Sequence, residues 1–156
     1  MKSLDQHLRH YAAYHQDRRN VLTHFAGIPL IVLAVVTLLS RPSLAGLSPA
    51  LLVAAASVVF YLKLDKRYGM AMAAALALCL WLGHWLAGLG TSAWLGWGVG
   101  LFVVGWVLQL IGHGFEGRKP AFVDDVVGLL VGPLFIVAEL GFLLGWRLEV
   151  RQRLGV

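Results

Sequence analysis

Four apolar runs dominate the chain, over residues 21–40, 49–64, 70–90 and 94–112, separated only by the short breaks RPSLAGLS, KLDKRYG and GTSA. Crossing the hydrocarbon core of a bilayer as helix takes about 20 apolar residues, so closely spaced runs of this length predict membrane-spanning helices. Composition argues against the alternative of a soluble core. Of 156 residues 59% are hydrophobic and 13% charged, and a soluble domain of this size has too little interior for that much apolar surface. The expected fold is an all-α integral membrane protein in a single domain over 1–156. It is a helical bundle of four to five transmembrane helices with an N-terminal amphipathic interfacial helix.

A fifth apolar stretch, 126–146, is interrupted by Gly128, Gly132, Pro133 and Glu139. Lysine and arginine concentrate on the cytoplasmic side of membrane proteins. With four full spans and a fifth segment that dips in and returns, twelve of the 13 Lys/Arg fall on one side; a fifth crossing makes the split nine to four. A broken or re-entrant C-terminal segment with both termini cytoplasmic is therefore expected, in a bacterial inner membrane or the endoplasmic reticulum. The net charge of +5 then reflects loop asymmetry, and no basic–aromatic stripe outside the apolar runs points to nucleic acid. Cys79 is the sole cysteine, which excludes an internal disulfide and a cysteine-rich metal site. Trp85, Trp94 and Trp97 resemble an aromatic belt at the outer interface. Gly96/Gly100, Gly128/Gly132 and Gly141/Gly145 are expected as helix-packing pairs.

Residues 1–20 are polar, so no cleaved hydrophobic leader is expected there. Within them Leu4, Leu8, Tyr11 and His15 share a helical face, predicting an interfacial helix over about 3–19 that delivers His15 toward the first span, with Asn20 as that span's N-cap. His7 and His10 are expected to be solvated.

Span parity makes the remaining polar residues informative. The first span begins inside with Asn20 and His24, the second ends inside at Asp65, and the fourth runs inward to Gln109, His113 and Glu116. His15, His24, His113, Glu116 and Asp65 are thus brought to one membrane face, while His84 is carried about 21 Å away by helical rise. Ionisable groups at membrane depth are costly and mark functional sites. Imidazoles with a carboxylate and no thiolate suit iron, zinc, copper or manganese. The spacing does not choose among an oxygen-using ferrous site, a zinc-dependent lipid hydrolase and a non-catalytic lipid-binding or transport protein.

Two stretches carry a resemblance. YHQDRRNVLTHFAGIP (14–29) has the H-x4-N-x3-H-x2-G-x-P form that opens the Mpo1-like family, formerly a domain of unknown function, and QLIGHGFEGRKPAFVDD (109–125) is similar to that family's second signature. The resemblance implies an Fe(II)-dependent dioxygenase that shortens 2-hydroxy fatty acids by one carbon, with dioxygen as co-substrate and membrane lipid around it. It implies iron held by His15, His24 and His113, with Asn20 and Glu116 at the catalytic centre. Arg18, Arg19, Arg118 and Lys119 are the expected partners of the substrate carboxylate. His84 lies outside both signatures, and Glu139 has no role assigned by either.

Overall fold

The computed structural model describes residues 2–41, 43, 45–118, 120 and 125–155, and its regular elements are helices without an extended strand among them. In chain order they are α1 (Leu4–Ala12), α2 (Arg18–Ser40), α3 (Pro49–Leu64), α4 (Lys66–Gly88), α5 (Thr91–Glu116), α6 (Gly128–Leu143) and α7 (Leu148–Leu154). The expected all-helical membrane bundle is what forms. α2, α4 and α5 are each long and apolar enough to cross a membrane, and the α6–α7 pair, bent by 114°, qualifies as one further broken span. α3, at 16 residues, rises only about 24 Å, a shorter apolar helix beside the three to four of spanning length. The outer surfaces of α3, α4 and α5 expose Leu52, Val59, Leu78, Trp81, Val103, Val107 and Leu110, the pattern of a lipid-facing surface.

α1 begins with a capping box in which Gln6 N donates to Ser3 Oγ and Ser3 N to Gln6 Oε1. Its buried face is Leu4, Leu8 and Tyr11, as the periodicity predicts, but the helix stops at Ala12. The expected continuation to 19 gives way to a corner at 13–17. Asp17 replaces Asn20 as the N-cap of α2, accepting from Arg19 N at 2.8 Å. Asn20 lies inside the helix, fully buried. His7 is buried against Phe60 rather than solvated, while His10 is exposed.

α2 is the central helix and packs against α3, α4, α5 and α6, most extensively against α5. Glycines permit that approach. Gly98, Gly105 and Gly112 recur every seven residues on the buried side of α5, and a Cβ at Gly105 would lie 2.9 Å from Gly27 O. The expected Gly96/Gly100 pair faces open space, because at 100° per residue both lie on the opposite side of α5 from Gly98. Trp85 and Trp97 are exposed as a belt requires, whereas Trp94 turns inward, its Nε1–H donating to Thr37 O at 2.8 Å.

The C-terminal segment starts and finishes beside the first turn of α1: Lys2 pairs with Asp125 at 3.1 Å and Asp5 with Arg153 at 2.9 Å. Between them α6 lays Val131, Leu134, Phe135 and Phe142 into the core, and Tyr61 Oη donates to Leu130 O at 2.8 Å. The bend into α7 uses Gly145 and Arg147 in left-handed conformations. It is held by a half-buried ion pair between Arg147 and Asp65 at 3.0 Å.

Candidate metal centre

The corner after α1 brings His15 back under the start of α2, His24 lies one turn beyond Asn20 in α2, and His113 sits near the end of α5. Each imidazole offers one nitrogen, and the three nitrogens all lie within 4.8 Å of one another. Ring centroids are 4.4 Å apart for His15–His24, 4.9 Å for His24–His113 and 5.3 Å for His15–His113. All three residues are buried.

Main-chain carbonyls orient two of the rings. His15 Nδ1–H donates to Tyr11 O at 2.7 Å and His24 Nδ1–H to Asn20 O at 2.9 Å, which leaves both Nε2 lone pairs as electron donors, the arrangement usual for metal-bound histidine. Tyr11 stacks on His15 with ring centroids 4.2 Å apart and the planes nearly parallel. His15 Nε2 and His113 Nδ1 are buried without a hydrogen-bond partner. Buried polar atoms are rarely left unpaired, and two unpartnered imidazole nitrogens in one cluster suit a bound cation. Burial pushes the His15 pKa down to about 4, so the ring is neutral near pH 7, as a ligand must be. Three neutral imidazoles suit a divalent first-row metal.

Asn20 and Glu116 meet at the rim of this cluster. Glu116 accepts from Gln16 N at 3.0 Å, Asp17 N at 2.8 Å and Asn20 Nδ2 at 3.0 Å, so both carboxylate oxygens serve the corner that positions His15. Asn20 Nδ2 also donates to Tyr14 O at 3.2 Å, and its Oδ1 is buried and unpartnered. Gly112 makes room for that oxygen: a Cβ there would lie 2.5 Å from Asn20 Oδ1 and 3.2 Å from His24 Nδ1.

Three of the four expected substrate-binding cations lie among the described residues. Arg18 is exposed at the first turn of α2. Arg19 pairs with Asp17 at 2.8 Å, holding that carboxyl at about 2, and its guanidinium covers the Phe115 ring at 4.4 Å. Arg118 donates to Ala13 O at 2.7 Å, and Lys119 lies outside the described residues. Asp65 joins Arg147 rather than the histidines. His84 donates to Leu80 O at 2.9 Å and stays apart, as its position in the span requires. Glu139 lines a polar cleft with His15, Arg9 and Phe135 on one side of the cluster. On the other side an apolar cleft between α2, α5 and α6 reaches His24 and His113, and Gln109 stands in its wall. Sequence reasoning left Gln109 out of the site. The signal was present: residues 109 and 113 flank Gly112 on the seven-residue glycine face of α5.

The family described as 2-hydroxy-palmitic acid dioxygenase Mpo1-like matches residues 1–144. The chain belongs to the Mpo1-like family. It is 32% identical over 163 residues to the 2-hydroxy-palmitic acid dioxygenase MPO1 of Saccharomyces cerevisiae, an alignment covering 96% of this chain and 92% of that protein. No solved structure matches. All three histidines of the cluster fall within the stretch matched to the Mpo1-like family, as do Asn20, Gln109 and Glu116.

Proposed function

We propose that this chain is an Fe(II)-dependent dioxygenase that removes one carbon from 2-hydroxy fatty acids at the cytosolic face of a membrane. The observation that carries the reading is the buried three-histidine cluster with two orphaned nitrogens, in a member of a family described as 2-hydroxy-palmitic acid dioxygenase Mpo1-like. His15, His24 and His113 would hold the iron. A ferrous ion held there would supply redox chemistry toward dioxygen and a 2-hydroxy carboxylate.

The chain's own residues do the rest. Tyr11 O and Asn20 O fix the His15 and His24 rings with their Nε2 lone pairs free. Glu116 and Asn20 clamp the corner so that His15 keeps its place under α2. Burial of the cluster excludes bulk water, and Arg18 at the exposed rim attracts an anionic head group. The Lys/Arg distribution, with the ion pairs that bring both ends of the C-terminal segment back to α1, supports a re-entrant α6–α7 and cytosolic termini.

The test is metal analysis of the purified chain together with oxygen consumption on 2-hydroxypalmitate, with and without ferrous iron. Iron bound near one per chain and uptake that depends on it are expected, and Ala at His15, His24 or His113 removes both. Full iron occupancy in all three variants would sink the metal assignment. Tightly bound zinc without oxygen uptake would favour a hydrolase, and no bound metal at all a non-catalytic lipid-binding protein.

A further inference from the structure

The apolar cleft is walled by Ile28, Ile31 and Val32 of α2, Trp106 of α5, and Leu129 and Pro133 of α6. Its polar end is at His24 and His113. Gln109 stands there too, buried to 5% exposure, and its Nε2 has no hydrogen-bond partner. Gly27 leaves the space it occupies, since a Cβ at Gly27 would lie 3.1 Å from that nitrogen. An amide N–H donor buried without an acceptor costs about 1–3 kcal/mol, and here it stands at the polar end of a cleft whose remaining walls are mainly apolar. Arg19 and Arg118, which could have met a carboxylate, are engaged with Asp17 and Ala13.

We propose that this cleft holds the acyl chain of a fatty acid, and that Gln109 Nε2–H donates to a carboxylate oxygen of its head group. This rests on the fatty-acid reading of the site above. The occupant follows from the chemistry of the walls: a single acceptor-bearing head beside the histidines and a long apolar remainder. From His24 to Val32 the helix rises about 12 Å, so Val32 lies beside the middle of a sixteen-carbon chain. Leu129, exposed at the mouth, opens the cleft toward the lipid-facing side. A fatty acid enters sideways from the bilayer, tail outward, without passing through water. Gln109 is a positioning and specificity residue that sets the head against the cluster, and Val32 gauges chain length.

The test uses the full chain in nanodiscs, stripped of metal with a chelator, and labelled with a photoreactive palmitate analogue. Competition by palmitate, octanoate and hexadecanol is read for the wild type, Gln109→Leu, Gln109→Asn and Val32→Phe, with Tm as the check on folding. Gln109→Leu is expected to weaken palmitate about tenfold and leave hexadecanol unchanged, because a charge-assisted hydrogen bond is lost and the chain contacts are kept. Gln109→Asn, which keeps the amide, recovers part of the loss. Val32→Phe weakens palmitate about tenfold and spares octanoate. Equal loss of palmitate and hexadecanol in Gln109→Leu, an unchanged chain-length profile in Val32→Phe, or no labelling of the wild type would each overturn the proposal. Because the readout is binding without metal, the two readings fail separately. Palmitate binding with this pattern but no iron-dependent turnover sinks the dioxygenase and keeps the cleft. Turnover with binding indifferent to both substitutions does the reverse.

Discussion

Asn20 and Glu116, 96 positions apart in sequence, are joined by a hydrogen bond in which Asn20 Nδ2 donates to Glu116 Oε2 at 3.0 Å. That bond ties the end of α5 to the start of α2, and the same carboxylate takes two amides of the corner carrying His15. Glu116→Ala should therefore lower stability by about 2 kcal/mol. It should also weaken metal affinity about 10–100-fold, the usual effect of removing a group that orients a ligand. Glu116→Gln, which turns one acceptor into a donor facing amide hydrogens, should be intermediate. Chelator competition and Tm read both effects; unchanged metal affinity in Glu116→Ala would show that the clamp is irrelevant to the centre.

Gly112 and Gly114 make a matched pair two residues apart in α5. A Cβ at Gly112 runs into Asn20 Oδ1 and Thr23, whereas one at Gly114 meets nothing within 4 Å. Gly112→Ala should cost about 1–3 kcal/mol through overpacking and reduce metal retention, since His24 lies against the same spot. Gly114→Ala should be neutral or stabilising by up to about 1 kcal/mol, alanine being the better helix former. Thermal unfolding of the two variants side by side decides it, and a Gly112→Ala protein as stable as the wild type would contradict the packing described.

The low pKa of His15, about 4 against an ordinary 6.5, has a directional consequence in metal-stripped protein. Below pH 6.5 the unfolded chain takes up a proton that the folded ring refuses. Stability from this group is therefore level above about pH 7 and declines through pH 6 and 5 until pH nears 4, by up to about 1.4 kcal/mol per unit. His15→Gln, which does not titrate, should flatten that part of the Tm–pH curve. Identical slopes in the two proteins would refute it.

Asp65 has two jobs that one substitution can separate. It caps α4, accepting from Arg67 N and Tyr68 N at 2.9 and 3.0 Å, and it pairs with Arg147 at 3.0 Å. Asparagine caps helices as well as aspartate does, so Asp65→Asn keeps the first role and loses the charge of the second. A loss of about 1–3 kcal/mol is expected, as for one partner of a half-buried ion pair. Arg147→Met should cost little more once Asp65→Asn is present. Strict additivity in that double-mutant cycle would show that the pair contributes nothing.

Hydropathy alone located the long helices. α2, α3, α4 and α5 form along the four apolar runs, because a bilayer imposes a length and a per-residue cost that each segment must meet by itself. Span parity then carried His15, His24 and His113 to one end of the bundle, where the structure has them together. Other features depend on contacts between segments far apart in sequence. The corner at 13–17 exists because Glu116 supplies acceptors for the Gln16 and Asp17 amides, so a helix to residue 19 was the natural reading of 1–20 taken alone. That the Glu116 carboxylate accepts from these amides and from Asn20 Nδ2 was likewise not legible in 109–125 taken alone. Gly96 and Gly100 have the spacing of a packing pair but face away from α2, and only the rotation of α5 about its axis shows that Gly98, Gly105 and Gly112 do the packing. Gln109 entered the site by the same rotation. The sequence by itself determined that this chain is a helical membrane bundle with three histidines at one end, through periodicity and solvation costs local to each segment. Which way those side chains point, and which of their nitrogens are left unpaired, was decided by the tertiary packing of α1, α2 and α5.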